Sequence, residues 1–225
     1  CAPDVKGRFE IFMGDIRDPH GVKQAMQDCE VVFHLAALIG IPYSYHSPDT
    51  YIDTNVKGTL NIVQAARALG KVRVIHTSTS EVYGDPEVHP QPESYRGNVN
   101  PIGPRACYDE GKRAAETLFF DYHRQHRLRI KVARIFNTYG PRMHPYDGRV
   151  VSNFIRQAVG GESMTIFGAG DQTRSFCYVD DLVEALIRLM ATKDGLTGPV
   201  NLGNPANNTG EAVGDTFVSI EGIIG

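Results

Sequence analysis

Short apolar runs of strand length alternate along the chain with stretches in which apolar residues recur every three or four positions. Phe9-Glu10-Ile11-Phe12-Met13 predicts a strand ended by Gly14-Asp15, residues 21–28 a short helix, and Val31–Leu35 a buried strand. From about Thr54 to Ala68 the residues Val56, Leu60, Val63 and Ala66 form one stripe, and Gly70 is its stop signal. Val72–His76 predicts another strand. Tyr108–His126 predicts a long helix on Ala115, Leu118, Phe119 and Tyr122, and residues 130–136 return as a strand. Such alternation predicts an α/β fold, a doubly wound parallel sheet with crossover helices. From Tyr139 onward glycine and proline break up the chain and two helices stand out, near 150–159 and 180–191. That stretch predicts a smaller, looser lobe.

Composition narrows the class. The chain has 225 residues, 41% hydrophobic and 22% charged, which suits a globular core of one large or two small domains. A net charge of -3 implies no polyanion partner, so nucleic acid is not expected. The longest apolar stretch, from Val31 to Pro42, contains His34 and is far short of the ~20 residues of a membrane span. The opening residues lack the basic start and apolar run of a signal peptide. Four well-separated cysteines form no CxxC, so neither zinc nor a disulfide framework is expected, and a reducing cytoplasm is the default compartment. His46 with Asp49 has no third ligand, and His123 with His126 reads as a solvated helix end, so no metal is expected. GxSxG is absent.

The sharpest constellation is Tyr108-Asp109-Glu110-Gly111-Lys112. Positions i and i+4 share a helix face, one turn apart. A phenol ionises near pH ~10, and an ammonium held beside it favours the phenolate; a fall of ~3 units needs about 4 kcal/mol. The strand ending at His76 runs into Thr77-Ser78-Thr79-Ser80-Glu81-Val82-Tyr83-Gly84, which gathers hydroxyls and a carboxylate at a strand's carboxyl end. Open α/β sheets bind ligands at that edge.

Five motifs occur in order: His34-Leu35-Ala36-Ala37, Asn55-Val56-Lys57-Gly58-Thr59, Ser78–Gly84, Tyr108-x-x-x-Lys112 and Arg134-Ile135-Phe136-Asn137-Thr138-Tyr139-Gly140-Pro141. Over roughly residues 9–203 the chain resembles the extended short-chain dehydrogenase/reductase family of nucleotide-sugar enzymes. Residues 97–108, 147–154 and 172–176 resemble its UDP-glucuronate decarboxylases, whereas residues 39–48 resemble the dehydratase and epimerase branches.

The resemblance implies a Rossmann-like NAD-binding domain over 1–140 and a smaller sugar-nucleotide lobe over 141–225. Nothing before Phe9 supplies the glycine-rich turn of such a sheet, so the first βαβ unit is expected to be missing, and the smaller lobe to be incomplete. The implied catalytic residues are Thr79, Ser80, Glu81, Tyr108, Lys112 and Arg174. NAD would lie against Asp15, Ile16, Leu35, Ala36, Ala37, Asn55, Thr77, Tyr108 and Lys112, and the nucleotide sugar against Asn137, Arg142, Arg149 and Arg174. The implied reaction oxidises C4, loses the C5 carboxylate as CO2 from the 4-ketone and returns the hydride, turning UDP-glucuronate into UDP-xylose. Ser80 stands where a 4,6-dehydratase carries an acid, and simple 4-epimerases usually lack a carboxylate at the Glu81 position. Both remain alternatives, as does a non-catalytic shortened family member. A homodimer through the helices at 54–68 and 108–126 is implied as well.

Overall fold

The described residues of this computed structural model are 9–166, 168–170 and 174–204. Phe9–Met13 forms no helix or strand, and Ile11, Phe12 and Met13 are 80%, 56% and 98% exposed. The strand predicted there fails for a physical reason: no described strand lies alongside to take its ladder hydrogen bonds.

Helix α1 (Pro19–Met26) starts where Pro19 follows Asp18, whose carboxylate accepts from the His20 amide at 3.0 Å. Strand β1 is Val31–His34. Two short helices, α2 (Ile41–Ser44) and α3 (Pro48–Ile52), lead into a π-helical turn at Asp53–Gly58 and then α4 (Thr59–Leu69), which Gly70 closes at φ +75°. Strand β2 (Arg73–Thr79) ends in a 3-10 turn at Ser80–Tyr83; helix α5 is Ala106–His126 and strand β3 is Arg129–Ile135. The remaining elements are β4 (Thr138–Tyr139), α6 (Val150–Val159), β5 (Cys177–Tyr178), α7 (Val179–Ala191) and β6 (Val200–Leu202).

The main sheet is parallel, in the order β1-β2-β3-β6, and β4 with β5 forms a small parallel pair. Alternation along β2 and β3 splits the core into two layers. Val74, Ile130 and Val132 face α1, α4 and α5 through Val22, Ile62, Val63, Ala66 and Phe119. Ile75 and Ala133 face α7 through Leu182, Ala185, Leu186 and Leu189. Helices on both faces make this a doubly wound α/β sheet, as expected. Burying a side chain such as Leu189 contributes about 1.5–3 kcal/mol.

The sheet does not end near residue 140. Helix α7 and strand β6, from the stretch expected to form the smaller lobe, belong to the main layers: β6 pairs with β3, and Val200 and Leu202 join the core layer that α7 covers. Lys131 secures this return. Its buried ammonium donates to Thr192 Oγ1 at 2.7 Å and to the carbonyls of Lys193 and Leu196, each at 2.6 Å. The Asn207-Asn208-Thr209 sequon and the tail beyond Asn204 lie outside the described residues.

Candidate active site

The carboxyl ends of β1 and β2 meet the first turns of α5. Thr77, Ser78 and Thr79 are buried at the end of β2, where β3 pairs alongside as far as Thr79↔Ile135. Thr79 Oγ1 caps the 3-10 turn by accepting from the Glu81 amide at 3.2 Å, and Thr79 stands near enough to Tyr108 to favour its phenolate. Ser80 opens the same turn and is half-buried. Tyr51 of α3 packs edge-on against Tyr108 at 6.3 Å.

Tyr108, Lys112 and Glu116 form one buried stripe along α5, at i, i+4 and i+8. The Lys112 ammonium donates to the Thr77 carbonyl at 2.8 Å. Burial lowers its pKa to about 8, against a smaller opposite pull from Glu116. Burial raises the Tyr108 phenol to about 12, and Glu81 adds to the rise, while Thr79 and Arg105 oppose it. The sequence reading expected Lys112 to draw this phenol toward phenolate. Instead desolvation dominates, and the cation over the ring is Arg105, 4.7 Å from its centroid.

Arg105 is a residue that spacing did not single out. It adopts φ +70° ahead of α5, and its side chain is only 10% exposed. One guanidinium nitrogen lies 3.2 Å from Glu81 Oε2. Burial, and then the neighbouring Glu81, raise the Asp109 carboxyl to about 7. Glu116 was missed as well, although its position four residues after Lys112 is a legible signal. It accepts from Ser78 Oγ at 2.6 Å and from Arg134 Nε and Nη2 at 2.9 and 2.7 Å. Arg134 also donates to Tyr83 Oη at 3.0 Å, and Tyr83 donates to Asn201 Oδ1 at 2.7 Å. This network ties α5 to β2, β3 and β6 directly behind the candidate site.

The other expected residues fall into two groups. Leu35, Ala36 and Ala37 line the carboxyl edge beyond β1, with Leu35 62% exposed, and Thr77 Oγ1 donates to the His34 carbonyl at 2.9 Å. Asn55 is buried, and its side-chain amide grips the loop after β1: Oδ1 accepts from Leu38 N at 2.8 Å and Nδ2 donates to Leu38 O at 3.0 Å. It is therefore a loop clamp, with its polar atoms already engaged. Ile16 is seated on α4, where Asn61 Nδ2 donates to its carbonyl at 2.9 Å. Asp15 is exposed and held by Arg17 at 2.6 Å, whose hydrogen bonds lower its carboxyl to about 2.

Farther along, Asn137 is exposed, and its carbonyl accepts from Cys177 N at 2.9 Å where β4 meets β5. Arg142 is exposed at φ +67°. Arg149 is paired within its own loop to Asp147 at 2.6 Å. Arg174 is exposed in the segment leading to β5, and the adjoining Gln172 and Thr173 lie outside the described residues. Among the described residues no group of histidine, cysteine or acidic side chains has metal-binding geometry. No helix among them is long and apolar enough to cross a membrane.

A doubly wound parallel sheet with hydroxyls, a tyrosine and a lysine at its carboxyl edge defines an α/β protein of the Rossmann type. Residues 2–203 match the NAD dependent epimerase/dehydratase family, and the chain belongs to that family. It is 56% identical over 202 residues to UDP-glucuronic acid decarboxylase 3 of Arabidopsis thaliana, covering 90% of this chain and 57% of that protein. It is 51% identical over 201 residues to UDP-glucuronic acid decarboxylase 1 of Xenopus tropicalis, covering 89% and 46%. The chain thus spans about half the length of these curated relatives. Among solved structures it resembles UDP-glucuronic acid 4-epimerase of Bacillus cereus in complex with UDP-glucuronic acid and NAD, with a TM-score of 0.78 and 30% identity over 90% of this chain and 62% of that one.

Proposed function

We propose that this chain carries the reaction centre of an NAD-dependent nucleotide-sugar decarboxylase that converts UDP-glucuronate to UDP-xylose through a 4-keto intermediate. The observation that carries this reading is the gathering of buried Thr79, Tyr108 and Lys112 at the carboxyl end of β2, with Glu81 two residues beyond Thr79 and Lys112 one turn along α5 from Tyr108. The decarboxylase relatives at 51–56% identity favour decarboxylation over the 4-epimerase chemistry named for a structure at 30%.

The residues at the carboxyl edge fit the nicotinamide end of the cofactor. Lys112 brings three N–H donors, of which Thr77 takes one, and Leu35 and Ala36 offer an exposed surface beyond β1. Bound there, NAD would accept the C4 hydride and later return it. Tyr108 moves the proton at the sugar 4-hydroxyl, and Thr79 orients that oxygen. Arg105 supplies the positive field that the phenol needs to act as a base, since burial raises its pKa. Once C4 is a ketone, the C5 carboxylate is a β-keto acid and leaves as CO2, with its electron pair held as an enolate. Glu81 stands ready to return a proton to C5. Arg174, Arg142, Arg149 and Asn137 are proposed to hold the sugar and diphosphate; for Arg149 this requires leaving Asp147. Pairing of two copies through α4 and α5, and a cytoplasmic setting, complete the proposal.

The test is incubation of the chain with UDP-glucuronate and NAD, followed by chromatography of the nucleotide sugars and capture of CO2. UDP-xylose with equimolar CO2 is the expected result. UDP-galacturonate without CO2 would establish the epimerase reading, and unchanged UDP-glucuronate overturns both.

A further inference from the structure

Arg105 goes against several local rules at once. It stands at the N-terminal end of α5, where the helix dipole disfavours a cation. Its backbone holds φ +70°, a left-handed conformation that suits glycine or asparagine better than arginine. The side chain is only 10% exposed, and its Nε is shut off from solvent with no hydrogen-bond partner among the described residues. A residue kept in place against helix, backbone and solvation points to a task in the site rather than to stability.

Docking of the Glu81 turn is not that task. Arg113 already fastens the turn to α5, its Nη1 donating to the carbonyls of Val82 at 2.9 Å and Arg96 at 2.8 Å. The Tyr108 backbone is fixed as well, its amide donating to the Arg105 carbonyl at 2.8 Å. What Arg105 adds is a charge set between two side chains. One guanidinium nitrogen is 3.2 Å from Glu81 Oε2, and the guanidinium carbon lies 4.7 Å from the centre of the Tyr108 ring. A planar guanidinium can use its edge and its face together, which an ammonium cannot.

The two partners compete for that charge. An ionised Glu81 offsets the guanidinium and repels a phenolate, so Tyr108 stays neutral. The other groups around the phenol do not take the place of Glu81. Asp109 also disfavours the phenolate, Lys112 is anchored to the Thr77 carbonyl one turn along, and Tyr51 of α3 presents an uncharged ring edge. We propose that Arg105 is a positioning residue that couples Glu81 to Tyr108: held between carboxylate and ring, its guanidinium favours the Tyr108 phenolate when Glu81 carries a proton and not when Glu81 is ionised. The site is thereby readied as a pair, a base for the 4-hydroxyl and a proton for C5, a role that rests on the decarboxylase reading. The protons balance. Tyr108 takes the 4-hydroxyl proton and returns it to O4 when the ketone is reduced. Glu81 gives its proton to the electron pair that the broken C–C bond leaves at C5, CO2 departs, and water recharges Glu81.

The experiment follows Tyr108 itself, by carbon NMR of the full chain isotopically labelled at tyrosine Cζ, across a pH titration. The Tyr108 signal is the one lost in Tyr108→Phe, and circular dichroism verifies folding. Glu81→Gln should lower the pH at which Tyr108 ionises by about one unit or more, and Arg105→Asn, which suits the left-handed backbone, should raise it. In the double variant the effect of Glu81→Gln should largely disappear, because the carboxylate is no longer held beside the ring. Arg105→Lys should not restore it. If Arg105→Asn does not fold, Arg105→Gly relieves the backbone and carries the same measurement. In turnover, Arg105→Asn should lower kcat about tenfold or more, with KM for UDP-glucuronate little changed and the acid limb of the kcat profile moved to higher pH. A Tyr108 titration untouched by Arg105→Asn, or a Glu81→Gln shift of equal size with and without Arg105, overturns the coupling. Restoration by Arg105→Lys overturns the two-sided contact. The expected NMR shifts in a chain that releases no CO2 overturn the decarboxylase reading and leave the coupling standing.

Discussion

The Lys112 ammonium donates to the Thr77 carbonyl at 2.8 Å, so the cation of α5 is anchored to the end of β2. The bond fixes the height of α5 on the sheet and with it the place of Tyr108 beside Thr79. It also explains how a charge only 4% exposed is tolerated, although burial brings its pKa down to about 8 from 10.5. Because the folded pKa lies below the unfolded one, the unfolded chain binds more protons between those values. The Lys112 contribution therefore makes stability rise with pH from about 8 toward 10.5. Lys112→Met should abolish this rise in urea titrations. It should change stability at pH ~7 by no more than about 1 kcal/mol and lower turnover at least ~100-fold.

His34 and His76 lie under the site, stacked with Phe119, whose ring is 4.8 Å from His76. Burial lowers the His34 pKa to about 3 and that of His76 well below its ordinary value, with the Lys112 charge adding to both. Here too the folded pKa values are depressed, so the unfolded chain takes up protons first. The stability these rings permit is complete above pH 6.5 and lost as pH falls toward 3. At about pH 4.5 the loss from His34 alone is roughly 2–3 kcal/mol. Replacing His76 with Leu keeps the apolar packing and removes one such ring. Comparing urea midpoints at neutral and acid pH should give a smaller acid loss in His76→Leu than in wild type; an equal loss would place the acid sensitivity elsewhere.

The pairing of Glu116 with Arg134 is bidentate and buried, with side chains 10% and 12% exposed. Removing one partner strands the other charge, so Glu116→Met and Arg134→Met should each cost about 3–5 kcal/mol. The double variant Glu116→Met with Arg134→Met should recover much of that loss, since it leaves no orphaned charge. Chemical denaturation of the four proteins as a double-mutant cycle reads the coupling directly.

What was legible in the sequence was mostly what is local. Tyr108 and Lys112 share a helix face by spacing alone, and α5 is observed at Ala106–His126 against a predicted Tyr108–His126. Glu116 was equally legible on that stripe, but its meaning depends on Arg134 and Ser78, which only the sheet register brings close. Arg105 and Asp109 converge on Glu81 from the far side of a long loop, so no local pattern announces them. Asn55 carried the right motif, yet its amide is spent on the backbone of Leu38. Phe9–Met13 was misread because strand propensity makes a strand only where a neighbour supplies the ladder. Strand β6 was missed because three residues, Val200–Leu202, are defined by pairing with β3 rather than by length or period.

Two glycines near the site should respond to alanine in opposite directions. Gly84 ends the 3-10 turn that carries Glu81 and holds φ +64°, a conformation costly for any side chain. A Cβ there would lie 2.1 Å from the Asn98 carbonyl oxygen, where Asp85 N donates at 3.1 Å and Asn98 N answers to Tyr83 O at 2.8 Å. Neither backbone can yield without breaking those bonds. Gly84→Ala should thus cost more than about 1 kcal/mol and displace Glu81 from Arg105, lowering kcat together with Tm. Gly111, by contrast, sits inside α5, where a Cβ would meet Asn55 Cβ at 3.6 Å, an ordinary contact. Alanine there gains helix propensity of up to ~1 kcal/mol, so Gly111→Ala should raise Tm with turnover intact. A fall in Tm for Gly111→Ala would mean that α5 packs closer to the Asp53–Gly58 turn than these contacts allow.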